Sequence, residues 1–152
     1  MTVAEKVASL RRTTQRLLTR NLAQRTARSF QELRALYVIE AEDVRTQVAL
    51  ADRLLVDTAA VSRMVAKLEQ EGLLERQPGT DRRCVRLVVT PAGQREAQAL
   101  RAELEALDAR VRRHLSAQEV ETLSRLVERL HAGLLAPEDP AQQSPVRSSS
   151  EA

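Results

Sequence analysis

Residues 46–90 set two short amphipathic segments side by side, leave almost no chain to join them, and follow them with two short, partly β-branched runs. Few folds admit that order. Thr46 can cap a helix whose inward residues are Val48, Leu50, Ala51, Leu54 and Leu55. Asp57 can cap the next, running to about Glu71, with Val61, Met64, Val65 and Leu68 on its inner face and Gly72 at the stop. Only two or three residues around Val56 and Asp57 connect them. Ala51 is small where the first helix must let the second approach, and Val61 anchors the second. Residues 73–77 and 85–90 then predict a β-hairpin around Pro78-Gly79-Thr80-Asp81-Arg82-Arg83, with Gly79 permitting the turn towards its tip. Helix, tight turn, helix, hairpin is the grammar of a winged helix-turn-helix.

The flanks are helical by spacing. Val3, Val7, Leu10, Leu17 and Leu18, with Thr14 and Asn21 in register, predict one helix from about residue 3 to 26 whose narrow stripe suits a seam. Ser29 with Glu32 is a capping box opening a second helix, with Leu33, Leu36, Tyr37 and Ile39 inward, up to about residue 41. Thr90-Pro91 starts a helix carrying Leu100, Leu104, Leu107 and Val111. Ser116 with Glu119 is a further capping box, opening a last helix with Val120, Leu123, Leu126, Val127, Leu130 and Leu134. The expected fold class is mainly α with a small β-hairpin wing, a winged helix-turn-helix with N- and C-terminal dimerisation helices. Its expected parts are an N-terminal dimerisation helix (1–28), the winged helix-turn-helix region (29–95), C-terminal dimerisation helices (96–136) and a disordered tail (137–152) with almost nothing to bury.

Composition excludes several classes. Of 152 residues 43% are hydrophobic, enough for a core, but no apolar run reaches membrane-spanning length. The first residues carry charge every few positions and no apolar stretch, so they do not read as a secretory signal, and the expected compartment is the cytoplasm. The single cysteine, Cys84, can form neither an internal disulfide nor a structural zinc site. Phe30 and Tyr37 are the only aromatic residues, which leaves no base-stacking platform. Ser62 belongs to the proposed reading helix while Asp108 and His114 belong to a distant one, so they are not read as a triad, and no glycine-rich phosphate loop or metal spacing is present. No enzyme activity and no cofactor is expected.

Charge is uneven. Residues 1–28 carry seven basic side chains against Glu5 alone, and residues 53–95 carry eight against five, with an acidic stretch between. On the helix after Asp57, Thr58, Ala59, Ala60, Ser62, Arg63 and Lys67 fall off the apolar stripe. As a major-groove reader, this helix would offer Arg63 to a guanine, Thr58 and Ser62 to phosphate or base, Ala59 or Ala60 to a thymine methyl, and Lys67 to phosphate. The plainer reading is that Arg63 and Lys67 solvate the outside of a helix.

These residues also carry a resemblance. Thr46-Gln47-Val48-Ala49-Leu50-Ala51-Asp52-Arg53-Leu54, Val61 to Glu69, Gly72-Leu73-Leu74-Glu75-Arg76, Asp81-Arg82-Arg83 and Leu87 to Gly93 are similar to the MarR family of bacterial transcription regulators. The likeness spans roughly residues 3–135. It implies a winged helix-turn-helix homodimer that regulates nearby genes, commonly as a repressor, and is released by a small molecule or oxidant. Asp81 and Arg83 match the family's Asp-x-Arg wing element, in which the arginine enters the minor groove and the aspartate helps to hold it. Arg82 and Arg86 are neighbouring candidates. A guanidinium suits a narrow, electronegative minor groove, whereas a wing-tip ion pair of small energetic value is the duller alternative. Ala49 departs from the family, which often places an acid there to complete a capping box with the threonine. Cys84 is a possible redox residue beside arginines that would favour the thiolate, or simply a small hairpin residue.

The terminal seams have no partner within one small winged domain, so a two-fold homodimer is expected, with half-sites about one helical turn apart in a pseudo-palindromic duplex-DNA operator. Arg11, Arg12, Arg16, Arg20, Arg25 and Arg28 fall mostly off the first seam, as an attractor of DNA or an anionic ligand or as a solvated face. A small-molecule effector site, by resemblance, lies between the dimerisation helices and the reading lobe. The alternative function is a dimeric protein-interaction module on the same fold without specific DNA binding.

Overall fold

The computed structural model describes residues 1–81 and 84–137. The elements run α1 (Val3–Leu22), α2 (Phe30–Ala41), α3 (Gln47–Leu54), α4 (Thr58–Gln70), β1 (Leu74–Pro78), β2 (Val85–Val89), α5 (Pro91–Arg112) and α6 (Ala117–Leu135). They match the expected order, helices with a two-stranded antiparallel hairpin. The expected tail from residue 138 onward lies outside the described residues. The chain divides into two compact units, Met1–Asp108 and Ala109–Ala152, with the boundary inside α5.

Helix ends follow local chemistry. Capping boxes close the starts of α1 (Thr2 with Glu5), α2 (Ser29 with Glu32) and α6 (Ser116 with Glu119). Thr46 caps α3 with one arm only, accepting from the Ala49 amide at 3.1 Å, because Ala49 has no carboxylate to reach back. Helix α4 ends in a Schellman turn: Gly72 adopts φ +74, its amide donates to Glu69, and the Leu73 amide donates to Leu68 at 2.9 Å. Helix α3 ends the same way with Leu55 at φ 55 and the Val56 amide donating to Ala51. A left-handed leucine is uncommon, since its Cβ crowds the following carbonyl.

In the first unit, one core joins α2, α3, α4, the hairpin and the start of α5 through Leu36, Ile39, Leu50, Leu54, Val61, Val65, Leu68, Leu74, Leu87 and Ala97. A smaller cluster, Leu22, Leu33 and Leu100, fastens the end of α1 to α2 and α5. Truncating one of these leucines to alanine costs about 2–5 kcal/mol in cores of this kind. In the second unit no residue of α6 is buried, and Leu123, Leu126, Val127, Leu130 and Leu134 stand open.

Two expectations need correction. Val48 and Leu55 do not face inward: they are 64% and 69% exposed, because Val48 lies off the face of α3 that buries Leu50, Ala51 and Leu54, and Leu55 follows the helix end in a left-handed conformation. Helix α1 stops at Leu22 rather than near residue 26. Beyond that point side chains are drawn towards α5: Arg25 pairs with Glu103 at 2.9 Å, and the Thr26 hydroxyl donates to Glu96 at 3.2 Å. The stripe of α1, expected to lack a partner within one chain, is buried only near its end, at Leu18 and Leu22, while Val3, Val7 and Leu10 are exposed.

Candidate nucleic-acid interface

Helix α4 is fixed from beneath. Val61, Val65 and Leu68 are fully buried, so helical geometry turns Ala59, Ser62 and Arg63 outward. Thr58 is also exposed and Ala60 half-buried. Asp57 caps the helix, its Oδ1 accepting from the Ala60 amide at 2.7 Å. Arg63 forms no hydrogen bond or ion pair among the described residues, so its guanidinium is available to an outside acceptor. Ala66 and Gln70 complete the outward face, and the same 100° step that selected the others would have found them. With Ala59, Ser62 and Ala66 small, the helix backbone can come close to whatever lies against it.

Lys67 behaves differently. Its ammonium pairs with Glu32 on α2, a carboxylate that is buried and also accepts from the Ser29 amide. Burial pushes the Glu32 carboxyl up, but the hydrogen bonds from Lys67 and Ser29 and the charges of Lys67 and Arg28 outweigh it, leaving the group below its ordinary value. The hydrogen bond with Glu32 raises Lys67 correspondingly. Arg28 completes the cluster, meeting Glu71 at the end of α4, Glu96 on α5 at 3.6 Å and Glu32 at 3.9 Å. Burial works against its charge, and the hydrogen bond and charge of Glu71, with Glu96 and Glu32, more than restore it. The two ends of α2's capping box and the last turn of the reading helix therefore meet in one ionic knot.

The start of the pair is held by side chains that the sequence reading did not single out. Arg34 on α2 donates to the carbonyls of Arg53 and Leu54 at 3.4 Å, covering the end of α3. Arg53 in turn pairs with Glu42. Neither pairing has a local sequence signal, since the partners are 11 to 20 positions apart.

The hairpin pairs Leu74 with Val89, Arg76 with Leu87 and Gln77 with Arg86. Leu74, Leu87 and Val89 face the core, so Arg86 is on the solvent side and exposed. Arg76 shares the inner face and reaches Glu69 of α4 at 2.6 Å. The Leu87 amide donates to Arg45 at 2.8 Å, which ties the wing to the segment just before α3. At the tip the Gly79 amide donates to the Cys84 carbonyl at 2.7 Å, and a Cβ on Gly79 would sit 2.7 Å from that same oxygen. Glycine is thus required there. The Asp81 carbonyl accepts from the Cys84 amide at 3.0 Å, and Cys84 is exposed. Arg82 and Arg83 lie outside the described residues.

Taken together, these elements define a winged helix-turn-helix protein. Residues 28–85 match the model of the MarR family. Wild-type MarR from E. coli in its apo form aligns with a TM-score of 0.68 at 25% identity, over 86% of this chain and 97% of that one. The S. aureus MepR–DNA complex aligns at 0.75 and 18% identity, over 88% and 96%. A second MepR structure, described as a transcription regulator of the multidrug efflux pump MepA, aligns at 0.63 and 18%, over 88% and 99%. No curated protein sequence matches significantly. The resemblance to the MarR family holds, and the chain has the fold of its transcription regulators. Among the described residues no helix is long and apolar enough to cross a membrane.

Proposed function

We propose that this protein is a sequence-specific duplex-DNA-binding transcription regulator, a cytoplasmic homodimer that represses its targets until a small-molecule effector releases it. The observation that carries the reading is Arg63: a guanidinium without a partner among the described residues, on the outward face of the second helix of a fully packed helix-turn-helix. An arginine fork in that position matches the O6 and N7 acceptors of guanine in the major groove. Thr58, Ala59, Ala60 and Ser62 supply the rest of the reading surface, and Arg86 with Asp81, Arg82 and Arg83 supplies the wing contact. Lys67 contributes chiefly by holding the reading helix against α2, since its charge already has Glu32. The likeness to a regulator solved on DNA supports the partner assigned here.

Dimerisation follows from the apolar residues that one chain leaves in water. Val3, Val7 and Leu10 on α1, and Leu123, Leu126, Val127 and Leu130 on α6, are each between 39% and 71% exposed. Stripes of that length are sustained when a second copy covers them. Selection of random duplex DNA on the purified protein tests the whole reading. A pseudo-palindrome preferred by at least about a thousandfold over scrambled duplex is the expected result. Binding that is weak, steeply salt-dependent and indifferent to sequence would refute it.

A further inference from the structure

Helix α1 carries a row of arginines with nothing to hold. Arg12, Arg16 and Arg20 recur every fourth residue, are exposed, and form no hydrogen bond or ion pair among the described residues. Six other arginines of the first unit, Arg25, Arg28, Arg45, Arg53, Arg76 and Arg101, sit in ion pairs, whereas Arg63, Arg86 and Arg95 do not among the described residues. Glu5 is the only acid on α1, and it is occupied by the Thr2 capping box. The row lines a shallow depression of about 490 Å³ with Gln15 and Thr19 as neutral polar neighbours. Like charges at this spacing repel one another, so the row destabilises the free helix, and no ion pair among the described residues offsets it.

Helical geometry places Arg12 opposite the stripe of Val3, Leu10 and Leu17 and brings Arg16 and then Arg20 round towards its edge, all three off the stripe itself. A second copy seated on that stripe leaves Arg12 and Arg16 facing solvent and Arg20 at the rim. Their guanidinium groups step along the axis by about 6 Å, and the same step separates carboxylates at every fourth residue of a partner helix. No aromatic side chain lies in the depression, so a base or other flat ring finds nothing to stack on. Three cations neutralise only about three phosphates, few beside the six to ten contacts of an established duplex binder. They match three carboxylates one to one.

We propose that the outer face of α1 is a docking surface for an acidic helical segment of another protein, with Asp or Glu at every fourth residue facing Arg12, Arg16 and Arg20. The surface is separate from the reading helix and the wing, and its proposal stands whether or not DNA is bound. The test uses the full-length protein and a fluorescent alanine-rich helical peptide bearing three glutamates at four-residue spacing, read by anisotropy at low and near-physiological salt. A second peptide carries glutamines in their place. The expected result is binding of the acidic peptide alone, weakened at least about tenfold in the triple variant R12Q/R16Q/R20Q and unchanged in R11Q. Glutamine keeps helix propensity close to that of arginine, and the circular dichroism of the variant checks that α1 is intact. Equal peptide affinity in the triple variant, an equal loss in R11Q, or no peptide binding would each overturn the proposal. If the triple variant instead loses operator affinity and its salt slope falls by about three, the row is a DNA-backbone surface and the acidic-segment proposal fails.

Discussion

Arg63 and Leu55 show how differently single residues serve the helix-turn-helix. Arg63 has no partner among the described residues, so removing it breaks none of their contacts and tests reading. Arg63→Ala is expected to relax preference at one base pair per half-site by about 1–3 kcal/mol, measured by titrating operator duplexes substituted at each position. An equal loss on every sequence would make it a phosphate contact. Leu55 is held left-handed at φ 55 while its side chain is 69% exposed. Leu55→Gly relieves backbone crowding of about 1–2 kcal/mol and gives back part of it as unfolded-chain entropy. A net gain of about 0.5–1 kcal/mol, seen as a higher urea midpoint at unchanged slope, is expected. The sequence revealed the outward face of α4 because the buried Val61, Val65 and Leu68 repeat at helical spacing. It misplaced Leu55 and Val48 because a leucine or valine reads as inward by type, whereas Val48 lies off the face set by Leu50, Ala51 and Leu54 and Leu55 falls past the end of α3. The pairing of Lys67 with Glu32 was equally hidden, as the two are 35 positions apart.

At the level of elements, what matters is how segments are fastened. Helix α5 begins hard against the start of β1: a Cβ on Gly93 would collide with the Leu73 carbonyl and lie 2.7 Å from Val89 Cγ1. The Thr90 hydroxyl accepts from the Gly93 amide at 3.1 Å and donates to the Gly72 carbonyl at 2.7 Å, locking the same corner. Gly93→Ala is therefore expected to destabilise by about 1–3 kcal/mol, read from the thermal midpoint; an unchanged midpoint would mean the corner can yield. Glu32 gives a pH signature. Its folded carboxyl is held below the ordinary value, so its contribution is present above the unfolded value and is lost as pH falls through the folded one. Urea titrations at pH 6 and pH 3 should show Glu32→Gln less stable at pH 6 and losing less on acidification than the parent. Parallel losses would place the acid sensitivity elsewhere. The caps at Ser29, Asp57, Thr90 and Ser116 were legible because a cap is a local pattern of two or three positions. The Arg34 contacts to α3 and the bond from Leu87 to Arg45 were not, since they depend on chain segments brought together only by folding.

For the whole molecule, the open faces of α1 and α6 decide the assembly. Leu126 is 49% exposed in one chain, and under the proposed dimer it becomes interior. Leu126→Glu is expected to convert a dimer to monomers in sedimentation analysis and to lower operator affinity with it. A variant that stays dimeric would place the interface on another surface. Helix order and the hairpin were written in the sequence as periodicity, whereas the extent of each unit was not, because α5 reads as one continuous helix although the compact division falls within it. The ionic knot at Arg28 has a practical bearing on building hybrid regulators. The segment matching the family model runs from residue 28 to 85, and a transplant cut to those limits would import Arg28, Glu32, Lys67 and Glu71 but leave Glu96 behind. The incoming guanidinium would then face whatever the host helix offers. A graft that keeps this lobe working must extend through the first turns of α5, so that donor and acceptor charges travel as a single inherited block.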